Sequence, residues 1–147
     1  MKVLLDTNVL LRLAVASHPT HPDAVSAVLE IRHRGDQPAI VPQVLYEYWV
    51  VATRPTAQNG LGLTPAEARQ AIDEFLKSIA LLRDERGIFA NWLADVTDLA
   101  ICGKRAHDAR LVAAMQRHGL HQIVTFNKSD FAGFPNITVF APDEVCP

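Results

Sequence analysis

Within Lys2–Leu11, KVLLDTNVLL, an apolar run breaks off into Asp6, Thr7 and Asn8 before apolar residues resume. Val3, Leu4 and Leu5 without alternation predict a short strand buried on both faces, the signature of a central strand in a parallel sheet. Asp6 then stands where the backbone leaves the sheet. In open parallel α/β sheets, ligands bind outside the carboxyl ends of the strands. A second reading of the same residue is equally physical: Asp is a preferred N-cap, and a helix starting at Thr7 or Asn8 would use it.

The remaining chain alternates in the same way. Val9, Leu10, Leu13 and Ala14 recur at helical spacing, Ser17 to Pro22 is a break, and Ala24, Val25, Val28, Leu29 and Ile31 mark a second helix stopped by Gly35. Pro38 to Val41 predicts a second buried strand. Val44, Leu45, Tyr48, Val51 and Ala52 form one stripe of a helix ending before Pro55, and Asn59 to Leu63 is a loop. Thr64-Pro65-Ala66-Glu67 has capping-box spacing with proline at the first helical position, which predicts a helix from Pro65 to about Ala80. Leu81 to Arg83 reads as a third strand. Helices over Ile88 to Ile101 and Ala106 to His118 follow, the latter ended by Gly119, then strands over Ile123 to Phe126 and Ile137 to Phe140; the last residues are expected to fray.

Strands separated by helices imply a parallel sheet covered on both faces. With 147 residues, 49% of them hydrophobic, and no repeat or shift in composition, the chain is expected to form one doubly wound α/β domain over 1–147. Cys102 and Cys146 have neither disulfide-framework nor zinc-ligand spacing, so a reducing cytoplasm is the expected location. Asp6, Asn8 and Arg12 interrupt any leader-like apolar stretch, and no run approaches membrane-spanning length. A formal net charge of -2 gives no global attraction to polyanions, so nucleic acid would need a local basic patch.

Most of the 16 acidic residues lie in polar surroundings. Four do not. Asp6 ends the first strand, Glu47 flanks the apolar stripe of its helix, Asp108 precedes Leu111, Val112 and Met115 at spacings of three, four and seven, and Asp130 follows the Ile123 strand. Singly, each has a plain alternative: a salt bridge for Glu47, the helix dipole for Asp108, a turn cap for Asp130. Together they converge on the expected ligand edge, where carboxylates persist only if cations or raised pKa values neutralise them. Oxygen donors without Cys or His point to Mg²⁺ or Mn²⁺.

LLDTNVLL, the helical Glu after the second strand, HDARLVAAM and TFNKSDF, in this order and spacing, resemble the PIN domain, and most closely VapC-type toxins of bacterial and archaeal toxin–antitoxin pairs. The resemblance implies a Rossmann-like three-layer α/β/α sandwich with a central parallel sheet. It also implies a Mg²⁺- or Mn²⁺-dependent endoribonuclease, inhibited by a cognate antitoxin and homodimeric. Asp6, Glu47 and Asp108 match the three core carboxylates of the family, Asp130 its C-terminal acidic element, and Thr7, Asn8 and Thr125 small polar positions lining the site. Asn127 stands where many members have Asp, which leaves one metal or two open. Asp6 and Asp108 are then candidate direct ligands, Glu47 a ligand or water-positioning base, and Asp130 an outer ligand. Arg12, Arg54, Lys104, Arg105 and Arg110 are candidate RNA contacts at the rim, against an ordinary solvated surface. His107 is assigned no role beyond RNA contact.

Three other functions share parts of this pattern. A haloacid-dehalogenase-type phosphatase would need a second Asp at the position of Asn8, and a nucleotide-binding loop would need glycines that DTNVLL lacks. The third is a PIN-like module that binds RNA or protein without catalysis. Trp49, Phe75, Ile79, Phe89 and Trp92 either all fill the core or form in part a self-association surface, and the resemblance to homodimeric toxins favours the surface.

Overall fold

The three central strands of the sheet are buried along almost their whole length, while the two edge strands stay partly in solvent. The computed structural model describes residues 1–145, and gives strands β1 (Lys2–Leu5), β2 (Gln37–Ile40), β3 (Ala80–Leu81), β4 (Gln122–Val124) and β5 (Thr138–Phe140). All pairings are parallel, in the order β3-β2-β1-β4-β5. Helices α1 (Thr7–Ala14), α2 (His21–His33), α3 (Pro42–Thr53), α4 (Pro65–Leu76), α5 (Arg86–Asp98), α6 (Arg105–His118) and α7 (Pro142–Val145) flank it. This is the expected α/β arrangement with a central parallel sheet.

Strand order reverses direction at β1. The chain runs outward through β2 and β3 on one side and through β4 and β5 on the other, so a crevice opens at the carboxyl ends of β1 and β4. Val3, Leu4 and Leu5 are buried on both faces, as their unbroken apolar run predicts. Leu111 to Met115 of α6 and Tyr48 of α3 complete the core around them. Tyr48 meets Phe75 edge to face at 5.2 Å between ring centroids.

Several boundaries differ from the sequence reading. α4 ends at Leu76, not near Ala80, because Ser78 and Ile79 donate back to the Phe75 carbonyl and turn the chain into β3. Ile79 is buried from that turn, so its apolar spacing only imitates a further helical turn. The third strand is Ala80–Leu81 rather than Leu81 to Arg83, and β4 stops at Val124, two residues short of Phe126. Thr56–Gln58 and Lys128–Phe131 form 3-10 turns, and Pro142–Val145 is a short helix. Gly119 ends α6 where the sequence placed its stop, in the left-handed conformation at φ 71°. Gly60 is fixed by a close approach: a Cβ there would lie 2.0 Å from the Arg54 carbonyl oxygen. Cys102 is exposed, while Cys146 and the terminal fraying expected beyond it lie outside the described residues. Among the described residues, no helix is long and apolar enough to cross a membrane.

Candidate active site

Asp6 occupies both roles that its sequence position allows. Extended at φ -74° and ψ 161°, it is the N-cap of α1, its Oδ1 accepting from the Thr7 amide at 2.8 Å, and it also stands at the end of β1. Its Oδ2 accepts from the buried Thr125 hydroxyl at 2.7 Å, one residue beyond β4. Thr125 Oγ1 in turn accepts from Asn8 Nδ2 at 3.1 Å and the Asn127 amide at 3.0 Å, and Asn8 Oδ1 accepts from the Phe126 amide at 3.2 Å. These bonds lock the two strand ends across the crevice, while the Thr125 amide still donates to the Phe140 carbonyl at 2.9 Å.

Glu47 reaches the same crevice from α3. Its Oε2 accepts from Thr7 Oγ1 at 2.7 Å and its Oε1 from Gln43 Nε2 at 3.0 Å, so both oxygens are oriented. Asp108 comes from the first turn of α6, and Asp130 from the 3-10 turn after β4.

The electrostatics tie the four together. Burial pushes the Asp6 carboxyl up to about 6, against the Thr125 and Thr7 hydrogen bonds that favour its charged form, with Glu47 and Asp130 adding repulsion. Asp108 also rises to about 6, through burial first, then repulsion from Asp130, Asp6 and Glu47; Arg105 opposes it. No hydrogen bond contributes to that shift. The four carboxylates named by the sequence therefore feel one another across the crevice.

They converge without closing. Among the described residues, no three acidic, imidazole or thiol groups approach closely enough to hold a metal ion as they stand. The donor set is nonetheless all oxygen, and its mutual repulsion is what a hard divalent cation relieves, so the residues fit Mg²⁺ or Mn²⁺ in chemistry. Asn127 is exposed and offers the crevice its backbone amide, leaving Asp130 as the acidic residue of that turn.

Of the basic residues, Arg105 donates to the Ala132 carbonyl and lies 5.3 Å from the Phe134 ring centroid, while the Arg12 guanidinium is 6.0 Å from that of Phe126. Lys104 is exposed at the start of α6, with His107 exposed in its first turn, and Arg54 is the C-cap of α3. Arg110 is occupied by side chains of the protein: Nη1 donates to Gln43 Oε1 and Nη2 to Asp84 Oδ1, both at 3.2 Å.

Gln43 escaped the sequence reading. It is 7% exposed, sits one helical turn before Glu47, and its Nε2 also donates to the His107 carbonyl at 2.8 Å. The available signal was its i,i+4 spacing to an acidic residue.

The PIN-domain family model matches residues 3–135. The chain belongs to the PIN-domain family. No curated relative matches it. Among solved structures, this PIN domain resembles a VapBC complex of Rickettsia felis bound to a promoter DNA fragment, with a TM-score of 0.71, 20% identity, and coverage of 95% of this chain and 97% of that one. A toxin–antitoxin complex from Klebsiella pneumoniae gives 0.65 at 24% identity, covering 95% and 97%. A sarcin–ricin-loop-cleaving VapC toxin of Mycobacterium tuberculosis gives 0.66 at 17% identity, covering 92% and 98%. At these identities the likeness is one of fold.

Proposed function

We propose that this PIN domain is a divalent-metal-dependent endoribonuclease and the toxin of a toxin–antitoxin pair. The observation that carries the proposal is the convergence of Asp6, Glu47, Asp108 and Asp130 on the switch-point crevice, where Asp6 and Asp108 are both driven up to about 6. The fold neighbours, toxin–antitoxin complexes and a toxin that cleaves the sarcin–ricin loop, support the same reading.

Asp6 and Asp108 would hold the metal, with Glu47 as a further ligand or water-orienting group and Asp130 as the outer ligand. When bound, Mg²⁺ or Mn²⁺ supplies Lewis acidity to the scissile phosphate and to water. The chain's own share is positioning. Thr125 and the Thr7 amide hold Asp6, while Thr7 and Gln43 aim Glu47, which can accept a proton from the attacking water. Arg12, Lys104 and Arg105 are proposed to meet RNA phosphates at the rim, with Arg54 farther along α3.

A cognate antitoxin is the proposed protein partner. Self-association is proposed through apolar side chains left in solvent, Tyr46 and Val50 on α3 and Phe89 and Leu93 on α5; of the residues expected from the sequence only Phe89 is among them, since Ile79 is in the core and Trp49, Phe75 and Trp92 pack against it. A dimeric mass by light scattering at micromolar concentration is expected, and a monomeric one would remove this part of the proposal.

The test is cleavage of structured and unstructured RNAs by the purified protein in Mg²⁺ or Mn²⁺, abolished by EDTA and by Asp6→Asn. Cleavage that survives both belongs to another mechanism or to a contaminant. The open arrangement of the carboxylates favours one second reading, a module that binds RNA or protein without catalysis. RNA retained intact in millimolar Mn²⁺ would establish that instead.

A further inference from the structure

α6 carries Asp108 in its first turn, and two side chains from other helices hold the carbonyls just before it. Trp92 Nε1, from α5, donates to the Ala106 carbonyl at 2.8 Å, and Gln43 Nε2, from α3, donates to that of His107 at 2.8 Å. Gln43 also donates to Glu47. One buried amide thus joins the carboxylate of α3 to the turn that presents Asp108.

The direction of that amide is over-determined. Nε2 faces two oxygens, and Oε1 faces the Arg110 guanidinium. Flipped, it would set its oxygen against a carboxylate and a carbonyl, and its NH₂ against a cation. Arg110 is in turn fixed by Asp84. We propose that Gln43, backed by Arg110 and Asp84, is the positioning device that sets the separation of Glu47 and Asp108, and that Arg110 serves this device rather than RNA. The inference rests on the nuclease reading. Its physical basis is that catalysis by positioned groups tolerates little displacement: an error of about 1 Å can cost on the order of 10²-fold in rate.

Two variants test it, Gln43→Leu, which removes the amide at similar volume, and Arg110→Gln, which alters a side chain 35% exposed. Readouts are Mn²⁺ affinity by electron paramagnetic resonance without RNA, kcat and KM on a labelled RNA, the salt dependence of KM, and circular dichroism for folding. Gln43→Leu is expected to lose roughly 10- to 100-fold in Mn²⁺ affinity or kcat, the range for groups that orient metal ligands, with KM little changed. Arg110→Gln should move the same quantities in the same direction, less far, and leave the salt slope intact.

A folded Gln43→Leu with wild-type Mn²⁺ affinity and kcat would overturn the proposal. So would an Arg110→Gln variant whose KM rises and whose salt slope flattens by about 1, the mark of a lost phosphate contact. If Gln43→Leu does not fold, Arg110→Gln decides alone by the same criteria. A wild-type protein inert toward every RNA and unresponsive to Mn²⁺ is a separate result, overturning the nuclease reading and this one with it.

Discussion

Asp108 and Glu67 stand at equivalent places, each in the first turn of a helix. The helix dipole favours a negative charge at both. Yet Glu67 is held below the usual carboxylate range, by the Thr64 backbone bond and then the Thr64 hydroxyl, while Asp108 is pushed up to about 6 by burial and three other carboxylates. Glu67 is exposed and locked in a capping box; Asp108 is partly buried with no bond to favour its charge. The dipole, worth about 0.3–1 kcal/mol at an exposed helix start, is thus overridden where desolvation and like charges act together. What marks a carboxylate for chemistry is the company it keeps.

Activity gives the largest separation between the two regions. Asp108→Asn and Asp6→Asn should each lower RNA cleavage by roughly 10²-fold or more, the loss expected when several kcal/mol of charge stabilisation are withdrawn. Thr64→Ala, which breaks the cap at Glu67, should leave kcat and KM unchanged while costing about 1 kcal/mol of stability. A Thr64→Ala variant as inactive as Asp108→Asn would erase the contrast.

Metal response comes next. A cation bound only by the native state stabilises it by about 2.7 kcal/mol at 100 times its Kd. Thermal unfolding should therefore show wild type and Thr64→Ala gaining several degrees in saturating Mn²⁺, and Asp108→Asn much less. Equal gains in all three would take Asp108 out of the site.

The pH dependence sharpens the sign. A carboxyl raised from 3.8 to about 6 on folding binds its proton more tightly in the native state. The stability this contributes is full below about pH 4 and is lost as pH rises through 6. For Asp6, 7% exposed, the loss is on the order of 2–3 kcal/mol at about 1.4 kcal/mol per pH unit. The metal-free protein should therefore lose this contribution between pH 4 and 6, and Asp6→Asn should flatten that limb of the melting curve. Cleavage in limiting Mn²⁺ should rise through the same interval, with a midpoint that moves lower as Mn²⁺ is raised, because protons and metal compete for the same oxygens.

The crevice was legible in the sequence because its signals are local. Val3 to Leu5 followed by Asp6 shows a buried strand delivering a carboxylate, and the apolar stripes beside Glu47 and behind Asp108 place both next to the core. Thr7, Asn8 and Thr125 were expected at the site through family resemblance, and the structure bonds all three around Asp6 and Glu47. Gln43 was not legible. Its partners His107 and Arg110 lie 64 and 67 residues away, and its i,i+4 spacing to Glu47, the one local signal, does not reveal them. One boundary failed for a related reason, since Ile79 is buried from a turn, and periodicity cannot tell that tertiary demand from another helical turn. Arg110 misled in the opposite sense, because a basic residue near a carboxylate looks like a substrate contact until both its Nη atoms are found engaged by Gln43 and Asp84.

The smallest effect tests the comparison most directly, by making the same chemical change at both places. Asp108→Asn and Glu67→Gln each replace a carboxylate in a first helical turn with its neutral amide. In EDTA near pH 7.5, Asp108→Asn removes one member of a repelling set, and after allowance for solvent screening it should raise stability by roughly 1 kcal/mol, or about 2–4 °C in Tm. Glu67→Gln keeps a side chain suited to the capping box but gives up a charge that the helix end favours, so its Tm should fall slightly. Lowering the pH to 5 then separates the two again. Asp108 is largely protonated there, so replacing it gains little; Glu67, held below its usual range, is still charged, and its replacement should cost as much as before. Were Asp108 an ordinary helix-start carboxylate, both variants would melt lower at both pH values, and convergence of the four carboxylates would no longer account for its raised proton affinity.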